Sequence, residues 1–239
     1  MNGFGIVLVG SLLVAGCASQ IPTPTTAPAT APATAPATAP ATAPATIEPT
    51  GAPVSGAADP TFEQLIGQKL VVSMEGVTPS ADMLGRIRRG EVGGVILFGF
   101  NITTPAALIG LTGKLRGAAV AGGQPPLLIA VDQEGGPVKR ITWAPPTLSA
   151  PQMGSIGSAS VAHAQGASTG VALHSLGINV DFAPVADVPG STASFMYQDG
   201  RTFSFSATRT AVLADAFASG LESKGVLPTM KHFPGIGFA

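Results

Sequence analysis

From Asp59 onward the chain alternates short apolar runs with longer stretches whose apolar positions recur at helical spacing. The runs Lys69–Met74, Gly94–Phe98, Leu127–Val131, Ile178–Phe182 and Val226–Met230 predict strands. Gly94–Phe98 is apolar on both faces, as a parallel strand covered twice must be. Between them the pattern predicts helices. The first starts near Thr61, with Asp59 as its cap and Pro60 in its first turn. A second runs from Thr78-Pro79 to Arg89, where Gly90 closes it, and a third from Thr104-Pro105 to about Val120. Two more span about Ser158 to Leu176 and about Ala207 to Lys224, the latter ending at Gly225. The stretch after Val131 reads as a long loop.

Strand and helix in regular alternation imply right-handed βαβ units and a parallel sheet. Polar residues collect just after the strands: Asn101; Asp132 and Glu134; Asp181 and Asp187; Lys231 and His232. In a β/α barrel the carboxyl ends of the strands form the functional face. The fold class predicted is therefore α/β, of the (β/α)8 TIM-barrel type, incomplete, with about five β/α units present. A doubly wound sheet fits less well. No glycine-rich turn follows the first strand, and Gly135-Gly136 runs into Pro137 instead of opening a helix, so there is no dinucleotide fingerprint.

The front of the chain has a different texture. Phe4 to Gly16 is apolar and small-sided, too short to cross a bilayer comfortably, and reads as a secretory signal. It ends in Leu13-Val14-Ala15-Gly16-Cys17, which resembles a bacterial lipobox, where the thiol of the cysteine carries lipid. Met1-Asn2-Gly3 lacks the positive charge such signals usually carry. From Pro22 to Pro53 the chain repeats Ala-Pro-Ala-Thr. Proline every fourth residue removes backbone donors and stops helix and sheet alike, leaving an extended spacer whose threonines suit O-glycosylation. The expected organisation is a lipoprotein signal peptide over 1–16, a tether over 17–58 and a partial barrel domain over 59–239. The expected location is the cell envelope, outside the cytoplasm, with the membrane reached through Cys17.

Composition narrows the function. The net charge of −1 among 239 residues gives no argument for nucleic acid. The one tight basic cluster, Arg86, Arg88 and Arg89, reads as the solvated end of a helix. Cys17 is the only cysteine, so no internal disulfide can form, and no Cys/His spacing fits zinc; neither metal nor cofactor is expected. One Trp and one Tyr argue against an aromatic stacking platform.

The candidate chemistry sits at three strand ends. In Val131-Asp132-Gln133-Glu134-Gly135-Gly136 two carboxylates two residues apart on an extended backbone point the same way. Asp132 is the better candidate for binding, since a carboxylate can accept two hydroxyl hydrogen bonds from a sugar edge; Glu134 suits bracing the loop. Asp181 lies in an apolar run and, if buried, needs a basic partner or backbone donors, which favours a supporting role; Asp187 is read the same way more weakly. Arg201, after Gly200 and before Phe203, fits either a ligand clamp or a surface charge. Lys231-His232 is the sharpest signal. Successive strand residues face opposite ways, so both reach one pocket only if the strand ends there, and Pro234-Gly235 supplies the turn. His163 and His174, in a small-residue helix, are given no functional role.

Four stretches in order, Gly93 to Gly99, Val131 to Gly136 with Arg140, Asn179 to Asp187, and Lys231 to Gly237, resemble glycoside hydrolase family 3. The likeness is to its bacterial β-N-acetylhexosaminidases of cell-wall recycling, and it covers about Asp59 to the end. It implies a β/α-barrel that cleaves glycosides with retention through a glycosyl-enzyme intermediate. It implies a carbohydrate substrate, GlcNAc glycosides derived from the cell wall, with Asp132, Arg201, Lys231 and His232 binding the sugar; Thr202-Phe203-Ser204 follows the family pattern only loosely. It puts Ile236 at the position of the family's acid/base His, in a loop that reads Lys-His-Phe-Pro-Gly-His-Gly in the N-acetylglucosaminidases. It puts the nucleophilic Asp on a later strand, and no residue here matches it. The expectation is that the 239-residue chain does not itself hydrolyse a chromogenic N-acetylglucosaminide. Two alternatives stay open: a non-catalytic lipoprotein that binds a sugar or a partner, and an inactive truncated product with open sheet edges.

Overall fold

The computed structural model describes residues 59–236. The expected signal peptide, Cys17, the tether and Gly237 lie outside the described residues. Helix α1 (Phe62–Gly67) is capped by Thr61, not Asp59. Its hydroxyl accepts from Gln64 N–H while Gln64 Oε1 accepts from Thr61 N–H, two orphan donors satisfied reciprocally. Strand β1 (Val71–Ser73) follows. Helix α2 (Ala81–Arg88) is capped by Ser80, two residues after the expected Thr78, because its hydroxyl reaches Met83 N–H. The basic cluster does end this helix. Arg86 and Arg89 pair with Glu91, and Arg88 is exposed.

Strand β2 (Gly94–Leu97) leads through a 3-10 turn at Gly99–Asn101 into α3 (Pro105–Ala121), which Thr104 caps and Pro105 opens as the pattern predicts. Strand β3 (Leu128–Val131) runs directly into an antiparallel hairpin, β4 (Gln133–Gly135) and β5 (Val138–Lys139). Helix α4 (Ala150–Ile156) and the long α5 (Ala159–Ser175) come next, then β6 (Val180–Asp181), the single turn α6 (Phe195–Gln198), α7 (Ala207–Glu222) and β7 (Leu227–Pro228). The hairpin, α4 and α6 occupy segments the pattern reads as loop. Each is too short to show a period, and Gly135 and Gly136 turn the hairpin at φ of 90° and 61°.

The sheet order is β1-β2-β3-β6-β7 and every neighbouring pair is parallel. Strand order thus follows chain order without reversal. A doubly wound sheet reverses at its switch point, so this is the wall of a barrel of TIM type, with five of its strands among the described residues. All five expected strands are present but shorter, trimmed at one or both ends.

One face of the wall is packed by Ile87, Leu108, Leu115, Leu173, Phe217 and Leu221, all at most 1% exposed. Helices α5 and α7 lie close together because glycines face each other's backbone: a Cβ on Gly166 would run into the Phe217 carbonyl, and one on Gly220 into that of His163. Two asparagines tie strand ends. Asn101 donates to the Met74 carbonyl (3.1 Å) and the Gly76 carbonyl (2.6 Å). Asn179 accepts from Ile129 N–H at 2.7 Å and donates to the Leu127 carbonyl at 3.0 Å. Both polar side chains are committed to the frame.

Candidate functional site

The carboxyl ends of β3, β6 and β7 meet at one cluster of charges. Directly after β3, Asp132 and Glu134 point to the same side, as alternation on an extended backbone requires, and Gln133 points away. Lys231 Nζ lies between the two carboxylates, 2.7 Å from Asp132 Oδ1 and 2.5 Å from Glu134 Oε1. Arg201, from the loop after α6, grips Glu134 with two parallel bonds, Nε to Oε2 at 2.9 Å and Nη2 to Oε1 at 2.7 Å. The Arg201 side chain is only 14% exposed, so the surface-charge alternative falls. Glu134 is the hub of the network, joining residues 67 and 97 positions away, and its side chain is 4% exposed. Bracing the loop, the role expected of it, understates this. The Glu134 hydrogen bonds hold the Arg201 guanidinium above its ordinary range, against the opposing pull of burial.

Lys231 and His232 both reach the cluster. Strand β7 closes at Pro228. Beyond it Lys231 is held by its own N–H on the Pro184 carbonyl (3.1 Å), while its carbonyl accepts from Ala186 N–H (2.7 Å). His232 Nε2 is 3.3 Å from Arg201 Nη2, and Nδ1 is 2.5 Å from Asp187 Oδ2. A guanidinium can only donate, so Nε2 accepts and Nδ1 carries the hydrogen toward Asp187. Asp187 is thereby an orienting partner of the imidazole. A carboxylate downstream of a strand gives little sequence signal for this; the contact spans 45 residues. Arg140, whose Nη2 is 3.7 Å from Asp132 Oδ2, approaches from β5's end and lies over the Phe98 ring. Ile236 contributes only its backbone N–H, 3.4 Å from Asp187 Oδ1. His163 and His174 are exposed on α5.

Asp181, at the end of β6, is fully buried and meets the expected need with a backbone donor, Gln133 N–H at 2.9 Å. No basic side chain among the described residues pairs with it. Gln133 in turn fixes the loop by bonds to both the N–H and the carbonyl of Ile141 and to the Pro145 carbonyl.

Three carboxylates, Asp132, Glu134 and Asp187, thus meet three cations, Arg140, Arg201 and Lys231, around the imidazole of His232. The charges balance, while donors and acceptors remain dense. Such a surface suits a neutral polyhydroxylated or amide-bearing ligand better than an anion. A cavity of about 230 Å³ opens beside it, lined by Asp187, Lys231, His232 and Pro234, with room for a small ligand. A larger cavity of about 580 Å³ lies between α4 and the 197–205 segment, lined by Tyr197, Phe203 and Phe205. None of the charged cluster lines it, whereas Asp187, Lys231 and His232 of the cluster line the smaller one.

Known proteins share this sequence pattern and fold. The profile described as "Glycosyl hydrolase family 3 N terminal domain" matches residues 61–239. Beta-hexosaminidase A of Pseudoalteromonas piscicida is 37% identical over 215 residues, covering 79% of this chain and 35% of that protein. Among solved structures, a glycoside hydrolase family 3 beta-N-acetylglucosaminidase from Paenibacillus sp. str. FPU-7 superposes with a TM-score of 0.69 at 33% identity, covering 73% of this chain and 33% of that one. NagZ from Neisseria gonorrhoeae, solved in complex with N-trifluoroacetyl-D-glucosamine, superposes with a TM-score of 0.63 at 28% identity, covering 71% of this chain and 50% of that one. The chain therefore spans half or less of the length of each of these proteins. Through residues 61–239, this chain belongs to glycosyl hydrolase family 3.

Proposed function

We propose that the cluster binds the N-acetylhexosamine of a β-glycoside, and that the protein acts as a β-N-acetylhexosaminidase on GlcNAc glycosides derived from the cell wall. The observation that carries this reading is the seat of Lys231 Nζ between Asp132 and Glu134, beside the cavity at Asp187 and His232. It is a charge-balanced, hydrogen-bonding surface in a chain whose relatives include a beta-hexosaminidase and a NagZ solved with a glucosamine derivative. Asp132, Arg201, Lys231 and His232 are the proposed sugar contacts. In a retaining hydrolysis one carboxylate attacks the anomeric carbon. Asp132, Glu134 and Asp187 are each held by a cation or an imidazole hydrogen, which lowers their nucleophilicity, so the proposed role of these residues is grip and orientation.

The test is titration with N-acetylglucosamine, followed by NMR or calorimetry. Saturable binding is expected, and Asp132→Ala should weaken it roughly tenfold or more, the loss of a charge-assisted hydrogen bond. Equal affinity in the variant would remove Asp132 from the site, and no binding at millimolar sugar would remove the reading.

We also propose the organisation read from the front of the chain: export as a cell-envelope lipoprotein, a lipid on Cys17, the Pro/Ala/Thr tether, and a role in peptidoglycan turnover. The support is the apolar run ending in Leu13-Val14-Ala15-Gly16-Cys17 and the proline repeat after it. Metabolic labelling with a fatty acid should mark the protein, and Cys17→Ser should abolish the label; labelling that survives the substitution would refute the anchor.

A further inference from the structure

Asp181 is absent from the proposed sugar contacts, yet both strand ends that carry them hang on it. Its side chain accepts from Gln133 N–H at 2.9 Å, and Gln133 stands between Asp132 and Glu134. Its backbone carbonyl accepts from Thr229 N–H at 2.9 Å, two residues before Lys231. In the sheet it pairs with Val131 on one side and Pro228 on the other. One residue thus joins the backbone that presents the two carboxylates to the backbone that presents their shared cation.

The carboxyl is also oddly furnished. It is 0% exposed, Oδ1 has its one donor, and Oδ2 is enclosed with no partner among the described residues. An ionised carboxylate ordinarily collects several donors when buried, and one left short is strongly disfavoured. The surrounding charges agree. Asp132, Glu134 and Asp187 already balance Arg140, Arg201 and Lys231, and an ionised Asp181 would break that balance.

We propose that Asp181 is the positioning residue of this site: entering the fold as an uncharged acid, it fixes the Gln133 N–H and so the spread of Asp132 and Glu134 about Lys231, and its ionisation loosens that arrangement. The role rests on the sugar-binding reading for its functional meaning. Burial is the main force that pushes the Asp181 carboxyl up to about 7; Gln133 N–H and the charge of Lys231 oppose it, and the charges of Asp132 and Glu134 add to it. Folded protein therefore keeps this proton up to near neutrality, whereas an unfolded chain releases it near the ordinary value of 3.8. Between those limits the folded state binds more protons, so this group's contribution to stability is fully present below about pH 4. It declines as pH rises to about 7, then levels.

Asp181→Asn keeps an oxygen for Gln133 N–H but cannot ionise; Asp181→Ala removes the acceptor. The experiment compares both with wild type by thermal melts from about pH 5 to 8. It also follows the 13Cε resonance of Lys231 and N-acetylglucosamine affinity over the same range. Relative to Asn, wild type should lose melting temperature as pH rises, and its Lys231 resonance should show a step near neutrality that Asn lacks. A step caused by any other group would persist in Asp181→Asn. At about pH 6 Asn should bind the sugar nearly as wild type does, while Ala should bind roughly tenfold more weakly. Parallel pH profiles for wild type and Asn, in melts and in the Lys231 signal, would overturn the proposal, as would wild-type affinity in Ala. Should wild type bind no sugar, the functional reading fails, and the melts and Lys231 signal still decide the role of Asp181. Should Ala fail to fold, Asn decides it alone.

Discussion

Glu134→Ala is expected to destabilise the fold by about 3–5 kcal/mol, measured as a lower midpoint of urea unfolding with an unchanged slope. The magnitude follows from what is left behind. Glu134 is the partner of Arg201 through two hydrogen bonds and of Lys231 through an ion pair, in a setting where its own side chain is 4% exposed and theirs 14%. Removing it strands the Arg201 guanidinium without its carboxylate, near a Lys231 that Asp132 alone then neutralises, with little water to screen the two cations. Glu134→Gln should fall between, since an amide oxygen still accepts from Arg201 while the neutralising charge is gone. A loss below about 0.5 kcal/mol for Ala, the range of an exposed surface pair, would show that the network carries no stability.

Lys231→Met is expected to abolish measurable sugar binding, a loss of about a hundredfold or more, because truncating one member of a buried, hydrogen-bonded charge cluster costs about 2–5 kcal/mol in binding. Methionine keeps much of the length and apolar stem, so the pocket wall survives. What disappears is the ammonium that holds Asp132 and Glu134 toward each other. Without it the two carboxylates repel, and Asp132 turns toward Arg140, now 3.7 Å away. Calorimetry on Lys231→Met alongside a melt separates the two effects: a folded variant that still binds would exclude Lys231 from the site.

Much of the frame is legible in the sequence because it is written in local patterns. Each strand is an apolar run, and Thr104-Pro105 or Ser158 states a helix start by its own chemistry. The pattern misplaces helix starts at Asp59 and Thr78 because several residues in each stretch can cap, and only geometry chooses Thr61 and Ser80. The hairpin after β3 escapes because its strands span three and two residues, below any period. At the site, the shared direction of Asp132 and Glu134 can be read from spacing alone. The hub role of Glu134 cannot, because its partners lie 67 and 97 residues away, and no local pattern reports a contact at that range.

That same separation sets an order of events in folding. Asp132 and Glu134 lie side by side on one extended stretch, whose local hairpin with Val138–Lys139 needs only a few residues to close and is expected to form early. Arg201 and Lys231 arrive only after loops of many tens of residues have closed, which delays such contacts. Until β7 docks beside β6, the forming sheet carries unbalanced negative charge at its carboxyl edge. Strand β7 is therefore expected to act as a latch, and protection from hydrogen exchange of the Thr229 amide, which donates to the Asp181 and Ala183 carbonyls, would report the moment it closes.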